Sequence, residues 1–471
     1  MKFSAFSDDC LGTMDGTAIT EAIAKQKFRI EDAIMASIER ARKSQPHIHA
    51  MAATDFDRVI ARAKSSSLKL KDSKLNAPSV LKDNIKLEGL PTRFGSKATP
   101  SRPERSSDLL VSQLHSCGLH FIAKSATPPY GFSCSTEFDD GSPPTRNPWN
   151  LELSAGGSSG GSAALVAAGV VPIAHGNDGG GSLRIPAAMC GVIGMKPTRG
   201  RLIPQPKAKL MPVNIIADGI ISRSVRDQAN FLFEAEKFFA NPKLKSIGEV
   251  QGASSKRLRI GFVYDSVFTR ACPETRSIVD KTIGILASAG HKVEETNMPT
   301  DQRFADDFTH YWCALAFSID RFGSWFFGGG KDGFDRHKLD RLTKGLSANF
   351  RTNFWKNFGA LQRLRTDHAR LFEQFNRYDA VVSPVIAKVT PPIGYFDPNI
   401  GFESFIMRLQ EYVGYTPLEN VLGNPAIALP AGQSSGGEPI GIQISAACGD
   451  ERKLLELGYE LEAAVGWQLL N

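Results

Sequence analysis

Two glycine-rich segments constrain this chain more than anything else in it: Gly156-Gly157-Ser158-Ser159-Gly160-Gly161-Ser162 and Gly176-Asn177-Asp178-Gly179-Gly180-Gly181-Ser182. Each is wedged against apolar sequence, which argues against a solvated linker. The first runs into an alanine-rich stretch that predicts a helix over residues 162–169. The second follows an apolar run that predicts a buried strand over 170–174. Glycine at such points permits backbone conformations barred to other residues and lets successive N–H groups converge on one spot.

The surrounding sequence alternates in the same way. Residues 78–81 read as a strand, 108–117 as a helix stopped by Gly118, and 119–123 as a strand. Farther along, 258–263, 291–295, 378–382, 426–430 and 441–445 read as strands, with helices over 273–289 and 451–464. The order strand 258–263, helix 273–289, strand 291–295 is a βαβ unit. This alternation predicts an α/β fold, a central mixed and mostly parallel sheet with helices on both faces.

At 471 residues, 42% hydrophobic and 22% charged, the chain suits a single large globular domain. Three regions stand out within it. Residues 1–63 form an N-terminal helical cover, with helical spacing over 17–43 broken near 25–29. Residues 77–225 hold the glycine-rich core. Residues 301–376 are an aromatic-rich helical insert around Gly328-Gly329-Gly330, which either packs against the sheet or forms a wall or lid over a pocket. The Ser/Lys-rich stretch 64–76 reads as an exposed loop.

Composition excludes several function classes. Fifty-six basic against 49 acidic residues give a net charge of +7 with no dense basic stripe, so no nucleic-acid partner is expected. The longest apolar run, 163–174, is too short to cross a bilayer, the N-terminus has no apolar signal segment, and no membrane partner is expected. Seven scattered cysteines without a Cys-x-x-Cys pair suit a reducing cytoplasm, with neither a disulfide framework nor a structural zinc site.

Chemistry can reside in three places. Lys82 ends the strand over 78–81. A lysine taken into a low-dielectric interior loses its preference for the charged form and can act as a base, although Lys82-Asp83 by itself also fits a surface pair. Gly156-x-Ser158-x-Gly160 matches the nucleophile elbow of α/β-hydrolases, whereas a phosphate loop would need Gly-Lys-Ser/Thr. The glycines 179–181 can aim N–H groups at negative charge developing on a carbonyl oxygen. Ser182, at their end, is placed to attack that carbonyl, with Asp178 and Arg184 able to brace the loop.

In this order and at these separations, the segments resemble the amidase signature family. Thr145-Arg146-Asn147-Pro148-Trp149-Asn150, Gly191-Val192-Ile193-Gly194-Met195-Lys196-Pro197-Thr198 and Gly423-Asn424-Pro425-Ala426-Ile427 extend the resemblance over most of the chain. It implies that Lys82 is the base, that Ser158 follows a cis peptide bond and bridges, and that Ser182 is the acylated nucleophile. It also implies an oxyanion hole from the backbone N–H groups of Gly179, Gly180, Gly181 and Ser182, supported by Asp178, Arg184 and Ser159. The substrate would be a small-molecule amide, and neither metal nor organic cofactor would be needed. Asn177 stands where many members have Thr, a change expected not to touch the triad.

Ala174-His175-Gly176-Asn177-Asp178 and Lys196-Pro197-Thr198-Arg199-Gly200-Arg201 look like the branch containing 6-aminohexanoate cyclic-dimer hydrolases. That branch would put Cys313 beside the substrate, with simple packing as its other reading. His175 and Cys190 read as packed core residues. One alternative within the family is the A subunit of a tRNA-dependent amidotransferase, against which Ile185 speaks where the family usually has Gln. Another is a catalytically silent binding scaffold, against which the intact Lys82, Ser158 and Ser182 speak. The sequence leaves open which amide is cleaved and the oligomeric state, a homodimer included.

Overall fold

The computed structural model describes residues 1–65, 72–206, 208 and 211–470. Residues 66–71 of the stretch read as an exposed loop therefore lie outside the described residues. The strands are β1 (Met51–Thr54), β2 (Ala77–Lys82), β3 (Leu119–Ser125), β4 (Arg146–Asn147), β5 (Asn150–Ser154), β6 (Ile173–Asp178), β7 (Ile193–Lys196), β8 (Ala217–Ser222), β9 (Arg259–Phe262), β10 (Lys292–Glu295), β11 (Ala380–Pro384), β12 (Ala426–Gln433) and β13 (Pro439–Ala446). All but the small β4–β5 pair join one sheet in the order β1-β3-β2-β6-β8-β7-β12-β13-β11-β9-β10.

The α/β class and the mixed sheet are as expected, but the prevalence of parallel pairing is not. Parallel pairs lie on the flanks, where β2 joins β3 and β6 and β9 joins β10 and β11. The central strands β6, β8, β7, β12, β13 and β11 pair antiparallel in sequence along the sheet, and β1 is antiparallel on its edge. The reason is local at β12–β13, where the short connection 434–438 allows only a hairpin; a parallel pair would need a crossover of a dozen residues or so.

Alternation along the strands divides the interior into two layers. Val80, Ala174, Ile221 and Ala428 pack with the helices Ile30–Ile48, Gly160–Ala167 and Arg184–Cys190 on one face. Their neighbours Leu81, Ile173, Ile220 and Ile427 pack with the helices Leu109–Ser116, Val225–Phe238 and Glu451–Val465 on the other. Successive residues of a strand point to opposite faces, so each strand contributes to both layers. The strand expected over 170–174 begins at Ile173 and runs on to Asp178. Val170 instead closes the preceding helix through its N–H, which donates to Leu165 O. Its apolar side chain is buried without sheet pairing.

At the N-terminus the helices Gly16–Ala24 and Ile30–Ile48 flank the break read at 25–29. Asp15 caps the first through the Ala18 N–H. In the aromatic-rich region, the helix Gln302–Phe327 ends at Gly328, whose φ of +94° lies in the region that favours glycine. Among the described residues, no helix is long and apolar enough to cross a membrane.

Candidate active site

Lys82 is the last residue of β2, and the alternation that sends Val80 into the layer of the Gly160–Ala167 helix sends the Lys82 side chain there too. It is fully buried. Its Nζ lies 2.7 Å from Ser158 Oγ, 2.9 Å from Ser159 Oγ and 2.7 Å from Asn177 Oδ1. Burial pushes the amine down to about 7, against the opposing pull of Asp178 and Asp218. The next residue, Asp83, turns the other way and pairs with buried Lys124 at 2.9 Å, so Lys82-Asp83 is not itself an ion pair. Lys196 is equally buried and also lowered to about 7, but its Nζ donates to the Pro197 carbonyl at 3.1 Å, away from the serines.

Ser158 enters from the first glycine-rich segment. The Gly157–Ser158 peptide bond is cis. A Cβ on Gly157 would lie 2.9 Å from the backbone at Ser133, Cys134 and Ser135, which is why the chain can pass here only as glycine. Ser159 follows, its N–H donating to Ser182 O at 3.2 Å and its hydroxyl to Asn177 O at 3.3 Å.

The second glycine-rich segment is organised by Asp178 at the end of β6. Its carboxylate accepts the Gly181 N–H at 2.7 Å and the Leu183 N–H at 3.1 Å, bending the chain around Ser182. Gly181 has φ +123°, and a Cβ there would fall 2.3 Å from Thr416 Oγ1. Because its N–H faces the carboxylate, Gly181 is occupied inside the loop, whereas Gly179 and Gly180 of the same run border the two cavities beside Ser182. Arg184 grips Asp178 with both arms of its guanidinium, Nε to Oδ2 and Nη2 to Oδ1, each at 2.9 Å. Burial would raise the Asp178 carboxyl, but Arg184, Lys196 and Asn420 outweigh it and hold it well below the usual carboxylate range. The bracing expected of Asp178 and Arg184 is thus present.

Ser182 lies where two cavities meet. The narrower, of about 60 Å³, is lined by Ser182 with Gly180, Ile185, Phe304, Phe308 and Leu409 among others. The wider, of about 210 Å³, is lined by Ser182 with Ser158, Asn177, Gly179, Leu315 and Ile319 among others. Trp312 borders both. A buried lysine, two serines and a glycine-rich loop beside a largely apolar space make a setting for acyl chemistry.

The family model for Amidase matches residues 32–455. The chain belongs to the amidase family. This amidase is 40% identical to the putative amidase AmiC of Mycobacterium tuberculosis over 471 residues, covering all of this chain and 98% of that protein. It is 31% identical to the 6-aminohexanoate-cyclic-dimer hydrolase of Paenarthrobacter ureafaciens, over 97% of each chain. A solved structure of 6-aminohexanoate cyclic dimer hydrolase superposes with a TM-score of 0.85 at 28% identity, covering 97% of this chain and 99% of that one. The amidase fold, the enzyme class and the resemblance to that branch are therefore as read from the sequence.

One contact in this amidase corrects the sequence reading. Asn177 was expected to leave the triad untouched, yet its side-chain oxygen accepts directly from Lys82. Cys313 lines neither of the two cavities; it is fully buried, its thiol 3.5 Å from Asn349 Oδ1, so packing is the reading that fits. His175 is buried, with Nδ1 accepting the Lys82 backbone N–H at 3.4 Å and Nε2 at 3.3 Å from Asp218 Oδ1. Cys190 is buried beside Ala155 O. Among the described residues, no group of His, Cys, Asp and Glu is clustered to hold a metal ion.

Proposed function

We propose that this amidase works through an acyl-enzyme on Ser182, with Ser158 and Lys82 as its proton relay. The observation that carries the reading is the set of partners around Lys82 Nζ. Asn177 Oδ1 can only accept. The Ser159 hydroxyl points its hydrogen at Asn177 O, leaving its oxygen to accept from the lysine. A neutral amine has two N–H groups and one lone pair, so these two acceptors take both N–H groups. The lone pair then meets Ser158 Oγ at 2.7 Å, ready to receive its proton. Ser158 in turn takes the proton of Ser182 as Ser182 Oγ attacks the amide carbon. The N–H groups of Gly179, Gly180 and Ser182 are the oxyanion donors, the Gly181 N–H being held by Asp178. Water then hydrolyses the acyl-enzyme. The absence of any disulfide among the seven cysteines suits action in the cytoplasm.

The test is the pH profile of kcat/KM. Protonation disables the base, so the rate is expected to fall as pH drops through about 7, the value to which burial lowers Lys82. Asn177→Asp places a carboxylate 2.7 Å from the amine in place of a neutral acceptor. An anion there favours the ammonium, so the acid limb is expected to move up by about 1–3 pH units. A profile flat into mild acid, or a limb that Asn177→Asp leaves in place, contradicts the relay. A chelator such as EDTA is expected to leave the rate unchanged, because the chain itself supplies the base, the nucleophile and the oxyanion donors.

A further inference from the structure

We infer that the amide cleaved here is secondary and apolar on both sides of its carbonyl, with the acyl group in the narrower cavity and the amine portion in the wider one. The inference rests on the Ser182–Ser158–Lys82 relay proposed above and follows from how the two cavities meet it. Ser182 borders both, so a carbonyl carbon bonded to its Oγ projects one substituent into each. Trp312 stands between them, and it also sits over the loop: a Cβ on Gly180 would come 3.3 Å from the rings of both Phe308 and Trp312. The partition is therefore fixed at the carbonyl itself.

Ser158 decides which side is which, since it borders the wider cavity and not the narrower. In the acylation step the Ser182 Oγ–C bond forms and the C–N bond breaks. The Ser182 proton passes to Ser158 as the Ser158 proton passes to Lys82, and the relay then runs back to deliver a proton from Ser158 to the departing nitrogen. The products of this step are the acyl-enzyme and a neutral amine, and water later releases the acid. The nitrogen must therefore lie on the Ser158 side. Leu315 and Ile319 there, and Phe304 and Leu409 on the acyl side, offer apolar walls to both halves. Among the described lining residues neither cavity has a Lys or Arg to hold a carboxylate, the charged side chain being Asp301 in the narrower one, which fits a substrate without a free carboxylate better than an amino acid such as glutamine.

The test compares kcat/KM for N-benzylhexanamide, hexanamide and N-benzylacetamide. The first is expected to exceed each of the others by about tenfold or more, because each of the others leaves one apolar cavity unfilled. Ala305 and Ser318 line the narrower and wider cavities respectively and lie outside the relay. Ala305→Phe is expected to erase the preference for hexanoyl over acetyl while sparing that for benzylamide over primary amide, and Ser318→Phe the reverse. The opposite pairing overturns the assignment of the cavities. Hexanamide cleaved as well as N-benzylhexanamide overturns the substrate class but leaves the relay standing, as does failure on all three amides while p-nitrophenyl hexanoate still acylates Ser182. Failure on all three without acylation at Ser182 defeats the relay, and the inference with it.

Discussion

Alanine in place of Ser182 is expected to abolish both turnover and covalent labelling by a fluorophosphonate, a loss of about 10³-fold or more in rate. The reason is specific to this oxygen. Of the two serines, only Ser182 sits within the loop that Asp178 bends and borders both cavities. In the proposed relay, Ser158→Ala keeps the attacking oxygen but severs its link to Lys82. Labelling is then expected to persist on Ser182 at a rate lower by about 10²–10⁴, the usual contribution of a positioned acid–base group. Mass spectrometry of the labelled peptide separates the two. An adduct on Ser158 that survives the loss of Ser182 would return the nucleophile to the Gly156-x-Ser158-x-Gly160 turn and reverse the roles.

Removing Arg184 is expected to cost about 3–5 kcal/mol of stability, because it leaves a buried carboxylate without its counter-charge. Arg184 and Asp178 are both fully buried, and the guanidinium also donates to Thr416 O, Asn420 Oδ1 and Gln443 Oε1. The midpoint of urea unfolding of Arg184→Ala should fall accordingly, and Arg184→Lys should recover little of it, since an ammonium cannot reproduce the paired, planar contacts of the fork. Activity should fall with stability, as the carboxylate that shapes the Gly181–Leu183 backbone loses its anchor. A variant with an unchanged midpoint would show that the pair does not hold the loop.

The chemistry-bearing segments were legible because glycine, serine and lysine stood in unusual company: dense turns against apolar strands have few structural uses. The α/β alternation was legible for the same reason, since hydrophobic periodicity reports burial directly. What burial does not report is which strands become neighbours. Two consequences follow from that gap. Antiparallel pairing through the centre of the sheet was missed, although the short 434–438 connection signals a hairpin for β12–β13. Asn177 was also missed as a partner of Lys82. β2 and β6 run parallel with Val80 beside Ala174, which brings the end of β6 level with Lys82, but neither sequence segment names the other as its neighbour. Position 177 could have been flagged only by combining the strand alternation with that register. The Gly181 N–H was assigned to the oxyanion hole for a related reason, because a run of glycines does not say which of its donors is claimed by a nearby carboxylate.

The grip of Arg184 on Thr416, Asn420 and Gln443 reaches more than 230 positions down the chain. During synthesis, the lysine, both serines and the glycine turns emerge from the ribosome long before the residues that lock them. Until the chain from Thr416 through β13 has been made and docked, the guanidinium lacks these partners, and the Ser182 loop lacks its outer fastening. Contacts this distant in sequence form late in folding. A growing or prematurely ended chain thus carries the residues of the proposed relay without the contacts that hold their loop in place.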